Sequence, residues 1–187
     1  MSHFSVTVFC GSSFGHAPDY RAAAQALGSG LAARGIDLVF GGGNVGLMGT
    51  IAGACLQAGG TVTGIIPEFL RAREVAFDGL SELITTESMH DRKKIMFDRG
   101  DAFVVLPGGL GTLDELIEIL TWKQLERHAK PILLCDIRGW AQPVTALIDH
   151  VIGEGFARPG VRDLFEVLGG VDATLARLSA YAAQAQS

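Results

Sequence analysis

Apolar residues recur along this chain in short runs, each closed by glycine or small polar residues and separated by segments of helical spacing. Val6 to Cys10, Ile36 to Phe40, Thr61 to Ile66, Leu83 to Thr86, Ala102 to Leu106, Pro131 to Cys135 and Leu164 to Leu168 are the runs. Ala102 to Leu106, continuous and β-rich, predicts a strand covered on both faces; the others predict further strands, the last of them short and interrupted by Glu166. The segments between them predict helices. One runs from Asp19, its candidate cap, to Arg34 and stops at Gly35, and another runs from Gly49 to about Ala58. Met89 to Arg99 follows a Ser88 cap, and Leu113 to Glu126, Gln142 to Ile152 and Val171 to Tyr181 complete the set. Strands that alternate with helices over nearly the whole length imply an α/β, doubly wound, mainly parallel sheet with helices on both faces. The 187 residues suit one domain, 1–187, with a full core and an alanine- and glutamine-rich end, 182–187, that is expected to fray.

Ligands bind such sheets beyond the carboxyl ends of the strands. That edge receives Gly11-Ser12-Ser13, the turn Gly41 to Gly49, the loop bearing Arg73-Glu74, and Pro107-Gly-Gly-Leu-Gly-Thr112. The last is the fullest signal. Gly108, Gly109 and Gly111 let the backbone approach a ligand without Cβ obstruction, and Thr112 opens a helix whose free N–H groups attract an anion, so a phosphate is the expected ligand. Glu115 has two readings there. Thr112-x-x-Glu115 has the form of a capping box, whereas a carboxylate beside a bound sugar can act as general acid or base or stabilise developing positive charge. Gly41-x-Gly43-x-x-Gly46 matches a dinucleotide fingerprint, with Glu68 near the position of a ribose-binding acid. It follows the second strand rather than the first, and the Gly108 turn competes for the phosphate. No Gly-Lys-Ser/Thr ends either turn, which excludes a P-loop. Ser12 and Gly43 are candidate substrate contacts.

Composition narrows the function. A net charge of -5 argues against non-specific nucleic-acid binding. The amino-terminal Met1-Ser-His-Phe-Ser lacks a signal peptide's regions, and no stretch has the length of a membrane span, so a cytoplasmic protein is expected. Cys10, Cys55 and Cys135 lie far apart without C-x-x-C, and the five histidines have no metal-ligand spacing, so no metal is expected. Cys10 as a nucleophile lacks a base in the sequence. One conflict stands out. Arg92, Lys93 and Lys94 lie near the amino end of their helix, where the dipole disfavours cations; an anion site and a solvated basic patch both account for it. Arg92 is the better ligand candidate, because a guanidinium can grip phosphate or carboxylate with two bonds.

Together, Gly41-Gly-Gly-x-x-Gly-Leu-Met-Gly49, Met89-His-x-Arg-Lys93 and Pro107-Gly-Gly-x-Gly-Thr-x-x-Glu115 resemble the signature of the LOG (Lonely Guy) family, from Val6 to about Phe156. These are cytokinin riboside 5'-monophosphate phosphoribohydrolases, many of them labelled possible lysine decarboxylases. The resemblance implies a Rossmann-like fold and hydrolysis of an N6-substituted adenosine 5'-monophosphate to free base and ribose 5-phosphate, without a cofactor. By motif, Arg92 and Glu115 match the catalytic pair, and Gly109 to Thr112 match the phosphate and ribose turn. Glu74, Lys93 and Thr121 match binding positions. Ala72 and Asp114 stand where the family often has proline and glutamate. The resemblance also implies a homodimer, for which the helix bearing Trp122 is a candidate surface. The lysine decarboxylase label fits poorly, since that chemistry usually needs an electron sink such as pyridoxal phosphate on a lysine, and Lys93, Lys94, Lys123 and Lys130 have no recognisable cofactor setting. Two alternatives to the main reading are a general glycosidase acting on plain AMP and a non-catalytic nucleotide-binding or carrier protein.

Overall fold

Every apolar run becomes a strand in the computed structural model, which describes residues 4–71 and 75–185. The strands are β1 (Ser5–Phe9), β2 (Asp37–Phe40), β3 (Val62–Pro67), β4 (Glu82–Thr86), β5 (Ala102–Val105), β6 (Ile132–Asp136) and β7 (Glu166–Gly169). They pair in parallel throughout, in the order β4-β3-β2-β1-β5-β6-β7. The helices are α1 (Pro18–Ala32), α2 (Gly46–Gln57), a single turn α3 (Glu68–Arg71), α4 (Met89–Arg99), α5 (Leu110–Gln124), α6 (Ala141–Gly153) and α7 (Val171–Ala185), with a 3-10 segment at Pro159–Leu164.

Successive side chains of a strand point to opposite faces, and both faces of β1, β2, β3, β5 and β6 are covered, whereas the edge strands β4 and β7 stay largely exposed, with Leu83 and Val167 open to solvent. Val6, Val8, Leu38, Phe40 and Val104 pack with residues of α1, α2 and α7, while Phe9, Val39, Ile65, Phe103 and Val105 pack with Met96 of α4, Leu116 and Ile119 of α5, and Val144 and Ile148 of α6. Burial on both faces is why the central runs are unbroken rather than alternating. From β1 the chain winds outward to β4, then returns to place β5 on the other side of β1. The order therefore reverses between β1 and β5, and the crevice beyond their carboxyl ends is the place where such a sheet takes a ligand.

Several element ends differ from the sequence reading. Asp19 does not cap α1; Ala17 is the N-cap, Pro18 takes the first position with its preset φ, and Asp19 lies 3.6 Å from Arg138. Helix α2 starts at Gly46, ahead of Gly49. The chain from Pro67 to Gly79 is not wholly irregular, because Pro67 ends β3 and Glu68–Arg71 forms a helical turn. Residues 72–74, and Glu74 with them, lie outside the described residues. At the other end α7 runs past Tyr181 to Ala185. Tyr181 and Ala182 pack on the core, and the Tyr181 hydroxyl donates to Glu166 at 2.6 Å. Residues 186 and 187 lie outside the described residues.

Below the sheet's amino edge His128 packs edge-on against Phe97 and Phe103. One ring nitrogen, Nε2, lies 2.9 Å from the Ile119 carbonyl, which only accepts, and Nδ1 accepts from the Lys130 N–H at 3.2 Å. Neutral imidazole satisfies both, and a second ring proton would face another donor. Burial, with Lys123 and Lys130 nearby, lowers the histidine's pKa despite the Ile119 bond. The unfolded chain then binds the extra proton first, so stability rises with pH across that interval. Acidification below about pH 6.5, the ordinary histidine value, is expected to lower the melting temperature. His128→Gln, which keeps a donor and an acceptor but does not titrate, should show a shallower fall in a thermal melt series, and parallel slopes would refute this.

Candidate active site

Backbone hydrogen bonds lock the turns of the switch point together. Gly11 N–H donates to the Pro107 carbonyl at 3.1 Å, and Leu47 N–H at the start of α2 donates to the Gly11 carbonyl at 3.0 Å. Gly46, in the left-handed region at φ +54°, sits against the Ser12–Ser13 backbone where a Cβ would overlap it. A cavity of about 230 Å³ opens beside this junction, and Cys10, Ser12, Arg92, Gly109, Gly111, Thr112, Asp114 and Glu115 all line it. Met48, Leu70, Met89 and Leu110 give it an apolar wall. A neighbouring cavity of about 270 Å³ shares Gly11, Ser12 and Gly109 and is walled by Phe14, Tyr20 and Trp140.

The turn after β5 behaves differently from its sequence reading. Helix α5 starts at Leu110 with Gly109 as N-cap and no side-chain cap. Thr112 is thus inside the helix and buried, and the Thr112-x-x-Glu115 capping box does not form. Gly109 to Thr112, at the start of α5, line the cavity, and the N-cap supplies no capping side chain, the condition in which a helix start attracts an anion. None of Gly108, Gly109 and Gly111 has positive φ. Their glycines answer to space instead: a Cβ on Gly108 would overlap Thr112 Oγ1 and come within 2.8 Å of Gly11 N, while Gly109 and Gly111 face open space.

That contrast gives a pair of opposite expectations. Gly108→Ala should lower stability by about 1–3 kcal/mol through overpacking. Gly111→Ala should raise it by about 0.5–1 kcal/mol, because alanine favours a helix, yet weaken substrate binding by placing a methyl on the cavity wall. Thermal melts read the first effect and KM the second; equal destabilisation by both would overturn this account.

Arg92 is 5% exposed. Its Nε donates to the Ile65 carbonyl at 3.1 Å and its Nη2 to the Gly41 carbonyl at 2.9 Å, so the ends of β3 and β2 hold one edge of the guanidinium. That edge is not available for a two-bond grip on phosphate. Its Nη1 lies 3.9 Å from the sulfur of Met89. Ser88 caps α4 as expected, accepting from Asp91 N–H at 3.1 Å. The conflict of basic residues at this helix start is relieved inside the protein. Lys93 meets Asp114 and Glu118, each at 3.2 Å, and Lys94 meets Asp98 at 2.7 Å. Burial works against the Lys93 charge, but the two carboxylates outweigh it and raise its pKa.

The structure therefore gathers Ser12, Arg92, Gly109, Gly111, Thr112 and Glu115 around one cavity, with Gly108 on the adjoining one. Other candidates sit elsewhere. Lys93 ties α4 to α5. Thr121 is on the exposed face of α5, bonded to the Ile117 carbonyl at 2.7 Å. Gly43 bridges Ala76 and so anchors the segment after residues 72–74. Cys10 lines the cavity, but burial, with the Glu115 charge adding, pushes its thiol well above the usual range, which is unsuitable for a nucleophile. Met48 and Met89 lie within the sequence motifs without having been singled out, and nothing local marked Leu70. Among the described residues, no group of three or more His, Cys, Asp or Glu could hold a metal, and no helix is long and apolar enough to cross a membrane.

Residues 48–178 match the family model described as "Possible lysine decarboxylase". The chain is 48% identical over 160 residues to a probable cytokinin riboside 5'-monophosphate phosphoribohydrolase of Oryza sativa subsp. japonica, covering 86% of this chain and 70% of that one. It is 43% identical over 175 residues to the cytokinin riboside 5'-monophosphate phosphoribohydrolase of Rhodococcoides fascians, covering 93% and 88%. Among solved structures, the molybdenum cofactor binding protein of Rippkaea orientalis superposes with a TM-score of 0.73 over 97% of this chain and 98% of that one. At 21% identity that likeness is one of fold.

Proposed function

This chain belongs to the LOG family of cytokinin riboside 5'-monophosphate phosphoribohydrolases, and we propose from that premise that it cleaves N6-modified adenosine 5'-monophosphates to free base and ribose 5-phosphate. One observation carries the reading: the uncapped, glycine-opened start of α5 shares a cavity with Arg92 and Glu115. The phosphate sits on the N–H groups of Gly109 to Thr112, with Ser12 alongside. Glu115 then faces the ribose, where it activates water or stabilises the oxocarbenium-like sugar as the C1'–N9 bond breaks. Arg92 supplies a fixed positive charge that orients ribose and phosphate. Met48, Leu70 and Met89 offer an apolar surface to the substituent on N6. Glu74, Lys93 and Thr121 remain substrate-binding candidates by motif alone.

Decarboxylation of lysine has no comparable support. Lys93 and Lys94 are ion-paired, Lys123 Nζ donates to the Lys130 carbonyl, and Lys130 Nζ donates to the Phe97 carbonyl. None of the four lines the cavity of Arg92 and Glu115.

Incubation of the protein with N6-isopentenyladenosine monophosphate, its riboside and AMP, with base and ribose 5-phosphate quantified by mass spectrometry, tests the reading. Cleavage of the modified monophosphate with little action on the riboside is expected, and the AMP rate reports how strongly N6 is read. Nucleotide bound without base release would leave a carrier instead. A cytoplasmic homodimer is part of the same proposal. Ile117 and Leu125, exposed at 46% and 64%, flank Thr121 on α5 and make a face suited to a second copy. A monomeric mass at micromolar concentration would remove the dimer.

A further inference from the structure

Gly41 opens the fingerprint-like run, yet the phosphate is assigned above to a different turn, which leaves this glycine without a role in nucleotide binding. Its backbone does not demand glycine either. Gly42 and Gly46 in the same run have positive φ, at +76° and +54°, whereas Gly41 does not. What Gly41 supplies is room. A Cβ there would overlap Arg92 Nη2, lie 3.2 Å from the Arg92 Cζ and lie 3.2 Å from the Met48 sulfur. Met48 is 7% exposed. The carbonyl of the same residue accepts from Nη2 at 2.9 Å, so Gly41 sets both the floor and one hydrogen bond of the guanidinium's seat, and Ile65 provides the other.

We propose that Gly41 is a positioning residue for the hydrolysis: its missing side chain and its carbonyl fix the plane of the Arg92 guanidinium beside the substrate. This rests on the reading of Arg92 as catalytic. A displacement of about 1 Å in a positioning group can cost on the order of 10²-fold in rate. A methyl at Gly41 forces a shift of that order, because the guanidinium and the new carbon cannot share the space.

The experiment is a double-mutant cycle of Gly41→Ala and Arg92→Lys, with kcat, KM and melting temperature measured on N6-isopentenyladenosine monophosphate, and Arg92→Ala beside it. Gly41→Ala alone is expected to lower kcat by roughly 10–100-fold with KM nearly unchanged. In the Arg92→Lys background, where no Nη2 contests the space, the same substitution should cost almost nothing further. Equal losses in both backgrounds would overturn the seat while leaving Arg92 catalytic, and so would a loss expressed wholly in KM. Wild-type turnover in Arg92→Lys and Arg92→Ala would overturn both readings together. Should Gly41→Ala fail to fold, recovery of folding by added Arg92→Lys supports the seat, and failure of the double variant refutes it.

Discussion

Replacing Glu115 with glutamine is expected to lower turnover of an N6-substituted adenosine monophosphate by about 10²–10⁴-fold while nucleotide binding stays near its original strength. Glutamine keeps the volume and much of the hydrogen bonding and removes only the charge. As the glycosidic bond stretches, positive charge grows on the anomeric carbon and ring oxygen, so a carboxylate matters more in the transition state than in the bound substrate. The loss should therefore fall on kcat rather than KM. The geometry favours this. Glu115 lies on the helix whose start is the proposed phosphate site, five residues beyond Leu110. A helix rises ~1.5 Å per residue, or ~7.5 Å over that stretch, a span suited to a ribose between its 5'-phosphate and its anomeric carbon. Leu116, Ile119 and Leu120 anchor α5 in the core and hold that spacing rigid. Single-turnover rates beside calorimetric nucleotide binding check the prediction. Near-normal turnover with normal binding would remove Glu115 from the chemistry.

How far the sequence reveals this site follows from how local each cause is. Central strands buried on both faces leave unbroken apolar runs, so the sheet could be read directly, and the glycine turns marked the edge where the cavity of Arg92 and Glu115 opens. Helix starts were less legible. Thr112-x-x-Glu115 has the residue types of a capping box, but the extended backbone of Gly109, at φ -98° and ψ -153°, begins the helix earlier and turns Thr112 inward. Asp19 failed as a cap because Pro18 had already started α1. Least visible was the environment of Arg92. Its carbonyl partners lie 27 and 51 residues away, and no spacing rule links them. The same holds for Met48, Leu70 and Met89, which meet only when α2, α3 and α4 converge over the carboxyl ends of the strands.

Arg92→Ala is expected to lower turnover by about 10²–10³-fold and also to lower the melting temperature, and the two losses have different origins. The rate falls because a buried positive charge, felt more strongly than one at the surface, no longer orients the ribose and phosphate. Stability falls because the Gly41 and Ile65 carbonyls lose their donor, at about 1–3 kcal/mol for each buried group left unsatisfied. Arg92→Lys separates the two. It keeps the charge, lacks the fork that reaches both carbonyls, and should retain more activity than the alanine variant. Guanidinium at millimolar concentration should restore part of the alanine variant's turnover, since the vacated seat still presents both acceptors, and should do little for the lysine variant. Rates with and without guanidinium, beside thermal melts, check these outcomes. If Arg92→Ala lowered the melting temperature but turned over normally per folded molecule, Arg92 would be a brace between β2 and β3 rather than a participant in the reaction.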